Sequence, residues 1–146
     1  IANWPQTLGR DGARTPMPWR AVEPAAGFST TEPWLPVDPA HLPLAVDVQE
    51  TAPLSMLKAT RRLVRLRRAH PALRIGSMTI LDTPDPLLVF QREAEGERLM
   101  AVFNLGHAPV AWTLPSGWRV IEAVNLPHAG SGALPPLAGV LLAEGA

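Results

Sequence analysis

Leu87-Leu88-Val89-Phe90 and Leu99-Met100-Ala101-Val102-Phe103, separated by the turn-forming Glu95-Gly96-Glu97, are the runs whose reading decides the fold of this chain. Short apolar runs punctuated by glycine read as neighbouring strands. The same pattern continues in both directions. Met78-Thr79-Ile80-Leu81 precedes it across Thr83-Pro84-Asp85-Pro86. Val110-Ala111-Trp112, Arg119-Val120-Ile121-Glu122-Ala123-Val124 and Val140-Leu141-Leu142 follow, set apart by Gly106-His107, Pro115-Ser116-Gly117 and Gly130-Ser131-Gly132. No stretch of helical length intervenes, so from Gly76 onward the spacing predicts an antiparallel sheet or sandwich.

Upstream the period changes. Met56, Leu57, Ala59, Leu63, Val64 and Leu66 fall at near-helical spacing, Ser55 can cap the N-terminus, and arginines crowd the last turns where the helix dipole favours cations. The pattern predicts a helix over 54–70, stopped by Pro71. Before it, nine of the 17 prolines fall within residues 1–53. Each removes a backbone donor and fixes φ, so this third is expected to be extended irregular backbone resting on a larger scaffold. No repeat of fixed period and no low-complexity tract is present.

Thirteen basic and thirteen acidic residues cancel, which argues against nucleic acid or an anionic membrane as a general electrostatic partner. Hydrophobic residues at 47% and charged residues at 18% give an ordinary globular balance, and the longest apolar runs fall far short of the roughly 20 residues of a membrane span. With no cysteine there is neither a disulfide, a thiol nucleophile nor a cysteine-based zinc site. That suits the cytoplasm and equally a disulfide-free periplasmic protein. The start at Ile1 suggests a fragment or a processed product.

The chemistry-bearing stretch is Gly9-Arg10-Asp11-Gly12-Ala13-Arg14-Thr15-Pro16-Met17-Pro18-Trp19. Arginine's planar fork of donors suits a pair of sugar hydroxyls or a carboxylate, and flanking Gly and Pro can hold such a loop in place. Arg10, Asp11 and Arg14 are therefore the candidate binding residues. On spacing alone, Asp11 pairing with one of the arginines merely to pin the loop stands equally open.

This stretch, as RDxxRTPMxW, is followed by Ala26-Gly27-Phe28-Ser29, by Pro33-Trp34 and by the run from Arg61 to Leu73. It resembles the late part of the α-glucosidase and oligo-1,6-glucosidase group of glycoside hydrolase family 13, over essentially the whole chain. The resemblance implies a mixed fold: the tail of a (β/α)8 TIM barrel over residues 1–75, comprising an active-site loop and the last helix, then an all-β sandwich domain over 76–146. It implies a retaining enzyme acting on α-linked glucosides or oligosaccharides, by hydrolysis or glucosyl transfer. By the resemblance Arg14 reaches the sugar at the cleavage site, with Arg10 and Asp11 as support or further binding residues, beside the N-terminal catalytic part of the same enzyme. The family's catalytic carboxylates lie in segments upstream of this chain, so no catalytic residue is assigned here. Three positions depart from the pattern: Arg20 stands where Asp or Glu is common, Ala25 where Asn is common, and Pro18 replaces the frequent Gln in the manner of proteobacterial-type α-glucosidases.

Other residues invite blander readings. Trp4, Trp19, Trp34, Trp112 and Trp118 could stack on sugar rings but are expected in the core, as is Phe28. His41, His70, His107 and His128 are too scattered for a metal site, and no metal or cofactor is implied; His70 before Pro71 reads as a helix C-terminal cap. Arg61, Arg62, Arg65, Arg67 and Arg68 read as a solvated helix face. Asp38, Asp47, Asp82 and Asp85 sit beside prolines or apolar runs as turn formers. The alternative to the enzyme reading is a non-catalytic carbohydrate-binding or structural β module.

Overall fold

The computed structural model describes residues 10–126 and 132–145, so Trp4, Gly9, His128 and the Gly130-Ser131 turn lie outside the described residues. Two compact units are present, Ile1–Val64 and Arg65–Ala146.

In the first unit the prolines do what they are expected to do, but they leave more local structure than irregular backbone. Three 3-10 turns occupy Asp11–Ala13, Pro24–Gly27 and Pro39–Leu44, and a short helix α1 spans Val46–Thr51. Asp38 caps the third turn, its carboxylate accepting from the Ala40 N–H at 2.9 Å. The predicted helix is α2, Met56–Ala69. Ser55 Oγ accepts from the Lys58 N–H at 3.2 Å, as an N-cap should. Its hydroxyl also donates to the Gln49 carbonyl, while Gln49 Oε1 accepts from the Leu57 N–H at 3.0 Å. Arg61 and Glu50 form an ion pair at 2.6 Å, so at least this part of the arginine face has a partner.

Pro71 stops α2 and in the same step starts α3, Pro71–Ile75, at the first helical position where its missing N–H is no loss. The strands follow: β1 Ser77–Leu81, β2 Leu87–Ala94, β3 Glu97–Asn104, β4 Val110–Ala111, β5 Trp118–Val124, β6 Ala133–Leu134 and β7 Gly139–Glu144. Five form an antiparallel sheet in the order β1-β2-β3-β7-β5, and β4 pairs with β6 as a second, two-stranded sheet. The sandwich read from the sequence is therefore present, with unequal sheets and one strand, β6, too short for any pattern to reveal.

Register explains which residues meet. Val89 faces Val102, which faces Val140; Gln91 faces Met100, which faces Leu142. With side chains alternating across the pleat, Val89, Met100, Val102, Val140 and Leu142 share one face and pack with Leu134 and Ala138 into the main core. Trp112 and Trp118 pack against that core, as expected of them. Where the same face reaches the sheet end, Arg98 lies between Glu93 at 3.5 Å and Glu144 at 3.1 Å. The opposite face carries Leu99 and Ala143, which pack with Ala72 of α3. On β5, alternation from Val120 puts Ile121 on this side as well, and the register shift between Val120 and Glu122 returns Ala123 to the main-core face.

Helix α3 is fastened to the sheet by polar contacts. The Glu97 carboxylate meets His70 Nδ1 at 2.5 Å and accepts from the Ala72 N–H at 3.0 Å. Arg92 donates to the carbonyls of Ala72 (3.1 Å) and Gly76 (2.8 Å). The approach is so close that a Cβ on Gly76 would stand 2.4 Å from the Ala72 carbonyl oxygen. His70 directly follows the last residue of α2 and precedes α3 in extended conformation, and its ring is turned to β3.

Asn104 ends β3 fully buried. Its Nδ2 donates to the carbonyls of Ala108 (2.8 Å), Leu134 (3.0 Å) and Pro135 (2.9 Å), and its Oδ1 accepts from the Gly106 N–H at 2.9 Å. One carboxamide therefore joins the large sheet to the β6 strand of the small one. Replacing it by Ala removes all four bonds and strands the buried Leu134 carbonyl at about 1–3 kcal/mol, so Asn104→Ala is expected to lower unfolding free energy by at least about 2 kcal/mol in urea titration.

Burial opposes ionisation of Glu97, but the hydrogen bonds from His70 and the Ala72 N–H, with the attraction of the imidazole, outweigh it and hold the carboxyl below its ordinary value. A depressed folded-state value means stability present above the unfolded value of about 4.3–4.5 and lost as pH falls through the folded one. Glu97→Gln is therefore expected to be less stable than the parent at neutral pH, with the gap closing as pH drops below that value; denaturation midpoints across the acid range check it.

Candidate functional site

The turn Asp11–Ala13 is closed by backbone bonds from the Ala13 N–H to the Arg10 carbonyl (3.0 Å) and from the Arg14 N–H to the Asp11 carbonyl (2.9 Å). This i,i+3 geometry brings Asp11 and Arg14 side by side, Oδ1 to Nη1 3.9 Å, with the two side chains 44% and 58% exposed. At that distance and exposure the pair contributes at most about 1 kcal/mol. Arg10 enters the arrangement through its carbonyl, its side chain lying at the surface. A Cβ on Gly12 would meet nothing within 4 Å, so the turn's outer face is open.

Beyond the motif the chain is clasped. The first turn of α1 donates from Val46 N–H to the Pro18 carbonyl (3.1 Å) and from Asp47 N–H to the Trp19 carbonyl (3.2 Å). The Asp47 carboxylate in turn accepts from the Ala21 N–H, at 3.2 and 3.3 Å to its two oxygens. Asp47 is thus more than a turn former: it pins a backbone segment 26 positions away. The N–H groups of Trp19 and Arg20 both donate to the Ala26 carbonyl, at 2.9 and 3.0 Å. Ala25, Ala26 and Gly27 follow one another at φ 48°, 53° and 67°. Two alanines in the left-handed region each cost roughly 1–2 kcal/mol against the right-handed conformation. The clasp from α1 and the paired bonds to Ala26 hold them there.

Beside this turn lies an open concavity of about 650 Å³ lined by Glu23, Pro24, Gly27, Phe28, Ser29 and Thr30. Phe28 is 49% exposed, Trp19 47% and Trp34 74%, so the expectation that these three aromatics fill a core is corrected. No sequence signal separated them from Trp112 and Trp118, since all five occur among prolines or in short apolar runs. Among the described residues no three His, Asp or Glu side chains converge on a point that could hold a metal ion, and no helix is long and apolar enough to cross a membrane.

Residues 1–76 match the family profile described as alpha amylase, catalytic domain, which takes in the Arg10–Arg14 turn, the clasp, the concavity and all three helices. The chain belongs to the alpha-amylase family. It is 42% identical over 79% of its length to a probable alpha-glucosidase of Rhizobium meliloti, of which it covers 21%. It is 35% identical over 78% of its length to a probable oligo-1,6-glucosidase of Bacillus subtilis, of which it covers 20%. Among solved structures it resembles an alpha-glucosyl transfer enzyme at TM-score 0.78 and 39% identity, over 97% of this chain and 27% of that one. The trehalulose synthase of Pseudomonas mesoacidophila matches at TM-score 0.76 and 29% identity, over 92% and 26% respectively. The chain thus spans about a fifth of the length of the curated relatives it matches. The structural likeness runs past residue 76, so the strands β1–β7 belong to the same family fold as the helices and loop.

Within this alpha-amylase family chain the Ala25 departure acquires a physical meaning. The resemblance leads to an expectation of Asn at this position, and Asn is one of the few non-glycine residues tolerant of the left-handed region, whereas Ala is not. The clasp carries the difference. Asp47→Ala is expected to raise hydrogen exchange at the Ala21 amide about tenfold, the loss of one charge-assisted bond, while Asp47→Asn keeps an acceptor and most of the protection. Amide exchange followed by NMR checks it, with the Lys58 amide as an unaffected reference.

Proposed function

We propose that this chain is the C-terminal portion of a retaining α-glucosidase-type enzyme acting on α-linked glucosides or oligosaccharides, by hydrolysis or glucosyl transfer. In this reading residues 1–75 complete a catalytic TIM barrel supplied by the N-terminal part of the same enzyme, and 76–146 form the β domain that stabilises it. Arg14 donates from its guanidinium to the sugar at the cleavage site; Arg10 and Asp11 support the turn and add contacts.

The observation that carries the reading is the state of Arg14. It stands on a backbone-closed turn inside the family-matched segment, more than half exposed, tied to Asp11 only across 3.9 Å. A guanidinium in a strong structural ion pair would be buried and bidentate. This one is positioned and still available, as a substrate-binding group must be. The relatives' printed names, among them glucan 1,6-alpha-glucosidase, oligo-1,6-glucosidase and trehalose-6-phosphate hydrolase, supply the substrate class, α-linked glucosides.

Retaining glycoside hydrolysis needs a nucleophile and an acid/base carboxyl about 5–5.5 Å apart. Those groups are assigned to the upstream part, so the reading is tested in the enzyme that contains both. Arg14→Lys keeps the charge but loses the two-pronged donor geometry, and is expected to cost about 1.5–3 kcal/mol, or roughly ten- to a hundredfold in kcat/KM. Arg61→Lys, which retains the charge opposite Glu50 on α1, is the control and is expected to stay within about twofold. Retention of full efficiency by the Arg14→Lys enzyme would mean that the turn is structural.

A further inference from the structure

The concavity beside Phe28 has no role in the reading above. We propose that Glu23, Gly27, Phe28, Ser29 and Thr30 form a second sugar subsite, which takes an uncharged gluco-configured unit and rejects a phosphorylated one. This deepens the α-glucoside reading, and rests on it, by adding a determinant of which glucosides are accepted.

Its size and chemistry both fit. A volume of about 650 Å³ lies within the range of small-molecule sites, about 300–1,000 Å³. The half-exposed Phe28 ring offers an apolar face for the axial C–H groups of a pyranose. Glu23, acceptor-only when ionised, takes hydrogen bonds from adjacent sugar hydroxyls, while Ser29 and Thr30 can donate as well as accept. Ser29 is already oriented: its Oγ accepts from the Thr31 N–H at 3.1 Å and lies 3.2 Å from Thr31 Oγ1.

The floor is pre-formed too. A Cβ on Gly27 would stand 2.9 Å from Arg20 Cγ and 3.3 Å from Glu23 Oε2, so the bare glycine is what lets the Glu23 carboxylate fold over the left-handed turn. The turn is anchored on one side by the paired bonds to Ala26 and, through Trp19 and Ala21, by the first turn of α1. A ligand there does not have to order the backbone that meets it.

Charge sets the selectivity. The six lining residues include one carboxylate and no Lys or Arg. Arg20 packs its stem against Gly27 but is not one of the lining residues, so within the lining a phosphate, carrying between one and two negative charges at neutral pH, would face the Glu23 carboxylate.

The test is two-dimensional amide NMR of the 146-residue chain, titrated with maltose and with maltose 6′-phosphate. Maltose is expected to shift the amides of residues 23–30 saturably, and Phe28→Leu and Glu23→Gln are each expected to weaken that binding about fivefold or more with spectra elsewhere unchanged. Maltose 6′-phosphate is expected to bind about tenfold more weakly than maltose, and Glu23→Gln to narrow that gap. Shifts confined to Arg10–Arg14 would overturn the subsite and leave the α-glucoside reading standing. Shifts nowhere would overturn the subsite, while the α-glucoside reading is decided separately by Arg14→Lys in the enzyme that contains the upstream part; equal binding of the phosphorylated sugar would overturn the selectivity.

Discussion

At the end of β3 the Asn104 carboxamide lies out of water with four backbone groups arranged around it, and the β unit is assembled about that point. The small sheet has only two residues per strand, far too few hydrogen bonds to stand alone. What keeps β6 over the five-stranded sheet is the fully buried Leu134 side chain on one side of its backbone and the bond from Asn104 to its carbonyl on the other. Apolar burial is non-directional and would tolerate several placements of β6; the carboxamide selects one. The same Oδ1 sets the Gly106 N–H, and with it the exit of the chain toward β4.

On the opposite face of the sheet the division of labour is similar. Ala72 and Ala143 are small partners for the fully buried Leu99, and a five-residue helix has no stability of its own. Glu97 and Arg92, both on strands, supply the bonds that hold α3 down: a carboxylate toward the Ala72 N–H, and a guanidinium toward the carbonyls of Ala72 and Gly76. Each charge is placed where the helix presents the complementary backbone group. The result is a short helix whose position is fixed by polar geometry, with Gly76 allowing the backbones to come close.

The strands were legible in the sequence because apolar runs and Gly- or Pro-containing turns alternate at short spacing, and α2 because its period and its Ser55 cap agree. What stayed illegible has physical reasons. Helix α1 carries three β-branched residues, Val46, Val48 and Thr51, among polar ones and follows a proline-rich run, so neither composition nor period announced it. β6 is too short to have a period. Asn104 looks like any turn former at a strand end, because nothing local says that the carbonyls of Leu134 and Pro135, 30 and 31 positions away, will converge on it. The partner of the His70 ring was hidden for the same reason: Glu97 is 27 positions away. In the candidate site the residue types were readable in Arg10, Asp11 and Arg14, and Asp11 does lie beside Arg14. The clasp by Asp47 and the exposure of Trp19, Phe28 and Trp34 were not, since they depend on tertiary placement.

A turn that binds sugar must satisfy two opposed demands: its backbone has to be fixed so that binding does not spend energy on ordering it, and its charged tip must not be consumed by internal partners. The loop from Arg10 to Gly27 separates them. The backbone is held by the 3-10 turn, by the first turn of α1 and by the Asp47 carboxylate, none of which touches the Arg14 guanidinium. The guanidinium itself has a neighbouring carboxylate at a distance where attraction is worth at most about 1 kcal/mol, less than the roughly 1.5–3 kcal/mol of a well-formed charge-assisted hydrogen bond. In the proposed reading, a sugar hydroxyl arriving in good geometry therefore outcompetes Asp11. In that same reading Asp11 keeps the unliganded arginine near its bound position, a role that a closer, bidentate pair would defeat.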